Sequence, residues 1–215
     1  MFTACKQPGS YFEGYVESSV SYAAKDSTLL YTFQYYYGHK LVTYYGKDGF
    51  ISWDYVDSTG RIKFQEVFRP DSMKLYTIVP SMDTVYALDV AQRVDAHVLG
   101  IDKHTGIKIL GHDVEKIRTK AVLTLQGETR KMNTAITYYN DVSYPVNPGM
   151  YERVEYNKTT DIYSMSPYIT VKIVTKFEDR LTTTVTAQKV VRTDIVRNHF
   201  IIPKSATIID LLKKQ

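Results

Sequence analysis

Apolar and polar positions alternate along most of this chain, and short clusters of Gly, Pro, Asp and Ser interrupt the alternation. In "YFEGYVESSVSY", Phe12, Val16, Val20 and Tyr22 share one parity, while Glu13, Glu17, Ser19 and Ser21 take the other. A period of two belongs to a strand with one buried face. The next stretch, "KDSTLLYTFQYYYGHK", breaks that period. Leu29, Leu30, Phe33 and Tyr37 fall on one helical face, Asp26 or Ser27 can cap the start, and Gly38 stands where a helix ends. The pattern predicts a short helix, with a strand as its rival because three tyrosines follow one another.

Strand-like runs come next at Lys40 to Tyr45, Gly49 to Val56, Arg61 to Phe68, Met73 to Val79 and Thr84 to Leu88. The last two flank Pro80, Ser81, Met82 and Asp83, which is the pattern of a hairpin. Links this short leave no room for crossover helices, so an antiparallel sheet is expected. "VAQRVDAHVLGIDKHTG" fits either a helical turn or an extended excursion. Further strands are predicted at Ile109 to Thr119, Lys131 to Tyr139, Glu152 to Tyr156, Ile169 to Phe177, Leu181 to Val191 and Val196 to Ile202. "NDVSYPVNPG" reads as a loop, and "KSATIIDLLKK" as a closing helix capped by Ser205. The fold class is therefore mainly β.

A length of 215 residues suits one β domain, taken as residues 11 to 215 behind a tether of residues 1 to 10. Hydrophobic residues at 44% and charged residues at 23% match a water-soluble globular chain rather than a disordered one. The net charge is +4, but Lys and Arg are scattered singly among Asp and Glu. A nucleic-acid interface gathers its basic residues on one face or helix, so no nucleic-acid partner is expected. Tyrosine is the unusual residue, with 19 copies against 8 Phe and a single Trp. Its apolar ring and wet hydroxyl suit half-exposed sheet faces and the mouths of cavities, although strand propensity alone favours it as well.

No catalytic group, metal site or cofactor is expected. His39, His97, His104, His112 and His199 are far apart and lack metal-ligand spacing. There is no nucleophile elbow, phosphate loop or Cys/His pair. Asp48, Asp54 and Asp57 lack the spacing of a calcium loop and read as turn residues. Asn157-Lys158-Thr159 fits a glycosylation sequon, a pattern frequent by chance. A hydrolase would be signalled by His39 or His112 meeting a carboxylate in a cleft.

No run reaches the roughly 18 apolar residues of a membrane helix, and no complete signal peptide is present. In "MFTAC", Phe2, Thr3, Ala4 and Cys5 resemble the end of a bacterial lipobox. That resemblance implies lipidation at Cys5, with Lys6 to Ser10 as a short tether to a membrane surface. The alternative is that Met1 is the true start and Cys5, the sole cysteine, is an inert thiol.

The order of elements also resembles bacterial cell-envelope proteins built on the fold of the lipoprotein-localisation factors, including the outer-membrane lipoprotein-sorting family. The resemblance is carried by "FEGYVESSVSY", "FRPDSMKLYTIVPSMDTVYAL", "ILGHDVEKIRTKA" and "HFIIPKSATI", and spans Tyr11 to Ile208. The chain departs from the carriers in lacking a long helix before the first strand and in a Pro-rich insertion from Asp141 to Gly149. The resemblance implies an antiparallel sheet curled into an incomplete, half-open barrel with one or two covering helices. It implies a non-enzymatic periplasmic protein, anchored to the outer membrane, that binds a lipid, an acyl chain or a lipoprotein. Val16, Val20, Ile62, Phe64, Phe68, Tyr76, Ile78, Tyr86 and Leu88 are the candidate ligand-binding residues. The alternative is a structural or interaction lipoprotein whose barrel is packed and holds no ligand.

Overall fold

The computed structural model describes residues 11–91, 96–124 and 131–211. The lipobox-like stub at Cys5 and the tether lie outside the described residues. Strand β1 (Gly14–Ala24) leads into helix α1 (Ser27–Tyr37), followed by β2 (Lys40–Tyr45), β3 (Ile51–Val56), β4 (Ile62–Arg69), β5 (Lys74–Ile78) and β6 (Thr84–Asp89). Then come β7 (Ala96–Asp102), the short β8 (Lys108–Ile109), β9 (His112–Thr124) and β10 (Lys131–Pro145). Helix α2 (Thr159–Met165), β11 (Tyr168–Phe177), β12 (Leu181–Arg192) and β13 (Thr207–Asp210) complete the chain.

Capping chemistry decides between helix and strand for the tyrosine-rich stretch. Asp26 is extended, and its carboxylate accepts from the Thr28 and Leu29 N–H groups at 2.8 and 3.3 Å, two donors that a helix start otherwise leaves unpaired. At the other end Gly38 takes φ +68° and donates its N–H to the Gln34 carbonyl, a conformation that glycine reaches without strain. The helix buries no residue completely. It lies against β1 and β4 through Phe33 and Tyr37, whose rings stack at 5.3 Å.

The strands form one sheet in the order β13-β6-β5-β4-β3-β2-β1-β12-β11-β10-β9-β7. Its two ends are not paired with each other, so the sheet is curled but not closed into a barrel. All pairs along this path are antiparallel except β13, which runs parallel to β6. Residues directly opposite each other share a face, so the register defines an inner row: Val16, Thr43, Trp53, Glu66, Thr77 and Tyr86. A neighbouring inner row runs Tyr45, Ile51, Phe68, Leu75 and Leu88. On the other half of the sheet, Val185, Ile173, Tyr138 and Ile117 continue the inner face.

The outer face has its own core over β2 to β6. Val67, Ile78 and Val85 are buried there beneath Phe200, with Tyr44, Tyr76, Ile195 and Ile202 packed around them. The strap that covers it, residues 193–206, contains a short 3-10 turn at Arg197–Phe200 where a strand was expected over Val196 to Ile202. His199 stacks on Tyr44 at 3.9 Å, and Gln65 on the same face bonds the buried Asp54 at 2.8 Å.

Three further expectations change, and one open reading is resolved. Residues Glu152 to Tyr156 are not a strand: the Glu155 and Tyr156 N–H groups both donate to the Val90 carbonyl, and the chain turns there. The expected loop from Asn140 onward is instead the end of β10, which runs to Pro145. The ambiguous stretch after Val90 supplies β7, paired with β9. The expected closing helix is β13, because Thr207, Ile208 and Ile209 are β-branched and fill the parallel edge of β6. Lys74 pins that edge through Asp210 at 2.6 Å.

Candidate functional site

The curl brings both halves of the sheet around a cavity of about 380 Å³ on the inner face. Its walls come from β1 to β5 on one side and from β10 to β12 on the other. Helix α1 contributes Phe33 and Tyr37 to one rim, where Phe33 meets Tyr22 at 6.4 Å and Phe177 at 5.9 Å. The segment from residue 148 to 165 plugs the opposite side. Tyr151 and Tyr163 stack at 4.4 Å and are buried with Ile162, while Phe68 packs against Tyr151 at 6.1 Å.

A buried polar network holds this plug in place. Asn140, wholly buried on β10, donates to the Ser166 carbonyl and hydroxyl at 3.2 and 3.1 Å and accepts from the Thr170 hydroxyl at 2.9 Å. Ser166 caps the C-terminal end of α2. One amide thus ties the helix end to two strands, with each of its groups satisfied.

Tyrosine dominates the lining: Tyr22, Tyr37, Tyr45, Tyr55, Tyr138, Tyr151, Tyr156 and Tyr163 all reach the cavity. Burial raises the pKa values of Tyr45, Tyr55, Tyr138, Tyr151 and Tyr163 above the ordinary tyrosine range. Their hydroxyls stay neutral, so the polar part of this lining carries no charge from tyrosine. The remaining wall is mixed, with Trp53, Leu41, Ile51, Ile173 and Val185 beside Thr43, Thr170 and Thr183. Such a surface matches an amphipathic ligand better than a wholly apolar one.

Among the described residues, Glu66 is the one carboxylate on this wall. It stands on β4 between Phe64 and Phe68 on the inner face, opposite Trp53 and Thr77. The Tyr55 hydroxyl donates to its Oε2 at 3.2 Å. Burial raises its pKa, and the Tyr55 hydrogen bond opposes that shift. Lys172 also belongs to the lining, but it pairs with Tyr139 and Thr186, on the face opposite Tyr138 and Ile173. Its ammonium lies over the Tyr139 ring at 5.3 Å.

Of the nine residues singled out in the sequence, Val20 and Phe68 are on the cavity wall. Val16 and Leu88 share the inner face but belong to the packed core beside the cavity. Phe64, on the inner face, stacks on Tyr55 at 4.1 Å outside the lining, and Tyr86 lies opposite Thr77 at the far end of the inner row. Ile62 is exposed beside a bulge between β3 and β4. Tyr76 and Ile78 point to the outer face and pack beneath the C-terminal strap. Apolar residues occupy both parities of β5, so pattern alone could not tell its two faces apart. Glu66 left a readable signal: in "FQEVF" it is an acid on the same parity as two phenylalanines.

His112 does meet a carboxylate: its Nδ1 lies 2.8 Å from Asp141 Oδ2. Asp141 is fully buried and its other oxygen accepts from the Ser143 N–H. The pair lies outside the cavity lining and fastens the start of β9 to β10. Among the described residues, no three His, Cys, Asp or Glu side chains converge as metal ligands. No described helix is long and apolar enough to cross a membrane. No family model matches the chain, and no curated protein matches it significantly.

Proposed function

We propose that this is a non-enzymatic binding protein of the cell envelope that holds one small amphipathic molecule, or one acyl chain, on the inner face of a half-open barrel. The observation that carries the proposal is the tyrosine-lined cavity of about 380 Å³ between α1 and the 148–165 plug. Ligand sites commonly span about 300–1,000 Å³, so this one sits at the small end. A water occupies about 30 Å³ in the liquid, which scales the space to roughly a dozen non-hydrogen atoms. One chain of about that length fits, and a longer chain leaves part of its length outside the cavity. Several acyl chains together do not fit. Placement in the periplasm and anchoring to the outer membrane rest on the resemblance to the lipoprotein-localisation fold and on the Phe2–Cys5 stub.

Native mass spectrometry of the full chain, expressed and purified without detergent, tests the proposal. A bound mass of a few hundred daltons that is lost on organic extraction supports it. A protein that carries no added mass and takes up none from a panel of short-chain amphiphiles favours the packed, structural alternative.

A further inference from the structure

We infer that the cavity selects a ligand with a positively charged ammonium head, seated against Glu66, and an apolar tail lying between the tyrosines. The inference rests on the reading that the cavity holds a ligand and adds the chemical class of its head group. Glu66 is partly buried and forms part of the cavity wall. Its one hydrogen bond among the described residues comes from the neutral Tyr55 hydroxyl, and no Lys, Arg or His among those residues pairs with it. A carboxylate withdrawn from water is costly unless a charge compensates it. Lys172, the lining residue that could do so, has its ammonium over Tyr139 on the other face.

The rings around Glu66 favour the same sign of ligand. Tyr37, Tyr55 and Trp53 border this end of the cavity, and aromatic faces attract cations through their negative quadrupole. An anionic head, such as a fatty-acid carboxylate, would instead meet a like charge in a poorly solvated site. The protein's net charge of +4 pulls the other way at long range. A preference for cations therefore has to arise locally, at Glu66.

Trp53 is the only tryptophan in the chain and lines the cavity, so its fluorescence reports occupancy directly. The full chain is titrated with octylammonium, octyltrimethylammonium, octanol and octanoate, the ionic probes below their micelle concentrations and octanol below its solubility limit, by Trp53 fluorescence and calorimetry. Octylammonium is expected to bind at least tenfold more tightly than octanol, and octanoate most weakly. Glu66→Gln should abolish the preference for octylammonium over octanol, bringing the ratio of their affinities to about one, and Glu66→Asp should retain part of the preference. Circular dichroism checks that both variants are folded. If octanoate matches octylammonium, or if Glu66→Gln leaves octylammonium binding unchanged, the head-group inference is overturned and the ligand-binding reading stands. If none of the four binds, the ligand-binding reading falls and takes the inference with it.

Discussion

Replacing Asn140 with alanine removes the amide that fixes the plug to the sheet, and its cost can be worked from the contacts. The side chain is wholly buried and makes three hydrogen bonds, two to Ser166 and one from Thr170. Each bond contributes about 0.5–1.5 kcal/mol net, giving a loss of about 3 kcal/mol. The Ser166 hydroxyl is the costliest loss, because Ser166 is fully buried and that hydroxyl loses its partner while the carbonyl keeps the Tyr168 N–H at 2.9 Å; the Thr170 hydroxyl faces the cavity and can be hydrated. Against a total of about 5–15 kcal/mol for a domain, that is a large share. Equilibrium urea unfolding measures it. Lys40→Ala is the control, since the Lys40–Glu17 pair is exposed at 2.7 Å and such pairs contribute at most about 1 kcal/mol. Near-ultraviolet circular dichroism should also weaken as the Tyr151–Tyr163 stack loosens. If Asn140→Ala costs no more than the control and leaves that signal intact, the network does not hold the plug.

Three further outcomes follow from particular contacts. Glu66→Gln should raise the melting temperature at pH 7: burial raises the folded pKa above the unfolded one, so the carboxyl favours folding at low pH and loses that contribution as pH rises through its folded value. The gain should shrink as pH falls below the unfolded carboxyl pKa, and a gain independent of pH would contradict this cause. Phe200→Ala should cost about 3–5 kcal/mol and expose the 193–206 strap to limited proteolysis, because Phe200 is the buried anchor over Val67 and Val85. Gly38→Ala should destabilise well beyond Gly60→Ala. Both glycines have positive φ, which costs about 1–2 kcal/mol for alanine, but a Cβ at Gly38 would lie 2.2 Å from the Val56 carbonyl oxygen while one at Gly60 meets open space. Equal melting shifts for the two would refute that steric account.

Elements with local signals were legible in the sequence. Asp26 and Gly38 marked both ends of α1, and the bounds of β2 were readable because Gly38 and Gly46 bracket a run of apolar, β-branched and aromatic residues from Leu41 to Tyr45. Elements defined by distant partners were not. β13 looks helical until the edge of β6 is seen to need a partner, and the Glu152–Tyr156 run looks like a strand although no strand lies beside it. Charge shows the same limit. Lys116, Lys120, Lys172 and Lys176 are scattered in sequence, yet pairing and pleat place all four on the outer face of β9 and β11. The cavity was hardest to read. Its wall mixes tyrosine, threonine and a glutamate with apolar residues, and the polar members resemble a solvated face until the curl turns that face inward.

The most direct test of the cavity is methyl NMR of the isotope-labelled protein on adding octanol, a probe with no charge of its own. A ligand on the inner face should shift the methyls of Val20, Ile173 and Val185, which line the cavity, while those of Val67, Ile78 and Val85 beneath the strap stay in place. Saturable shifts confined to the first group are the predicted result; shifts confined to the second group, or none in either, would contradict a ligand-binding inner face.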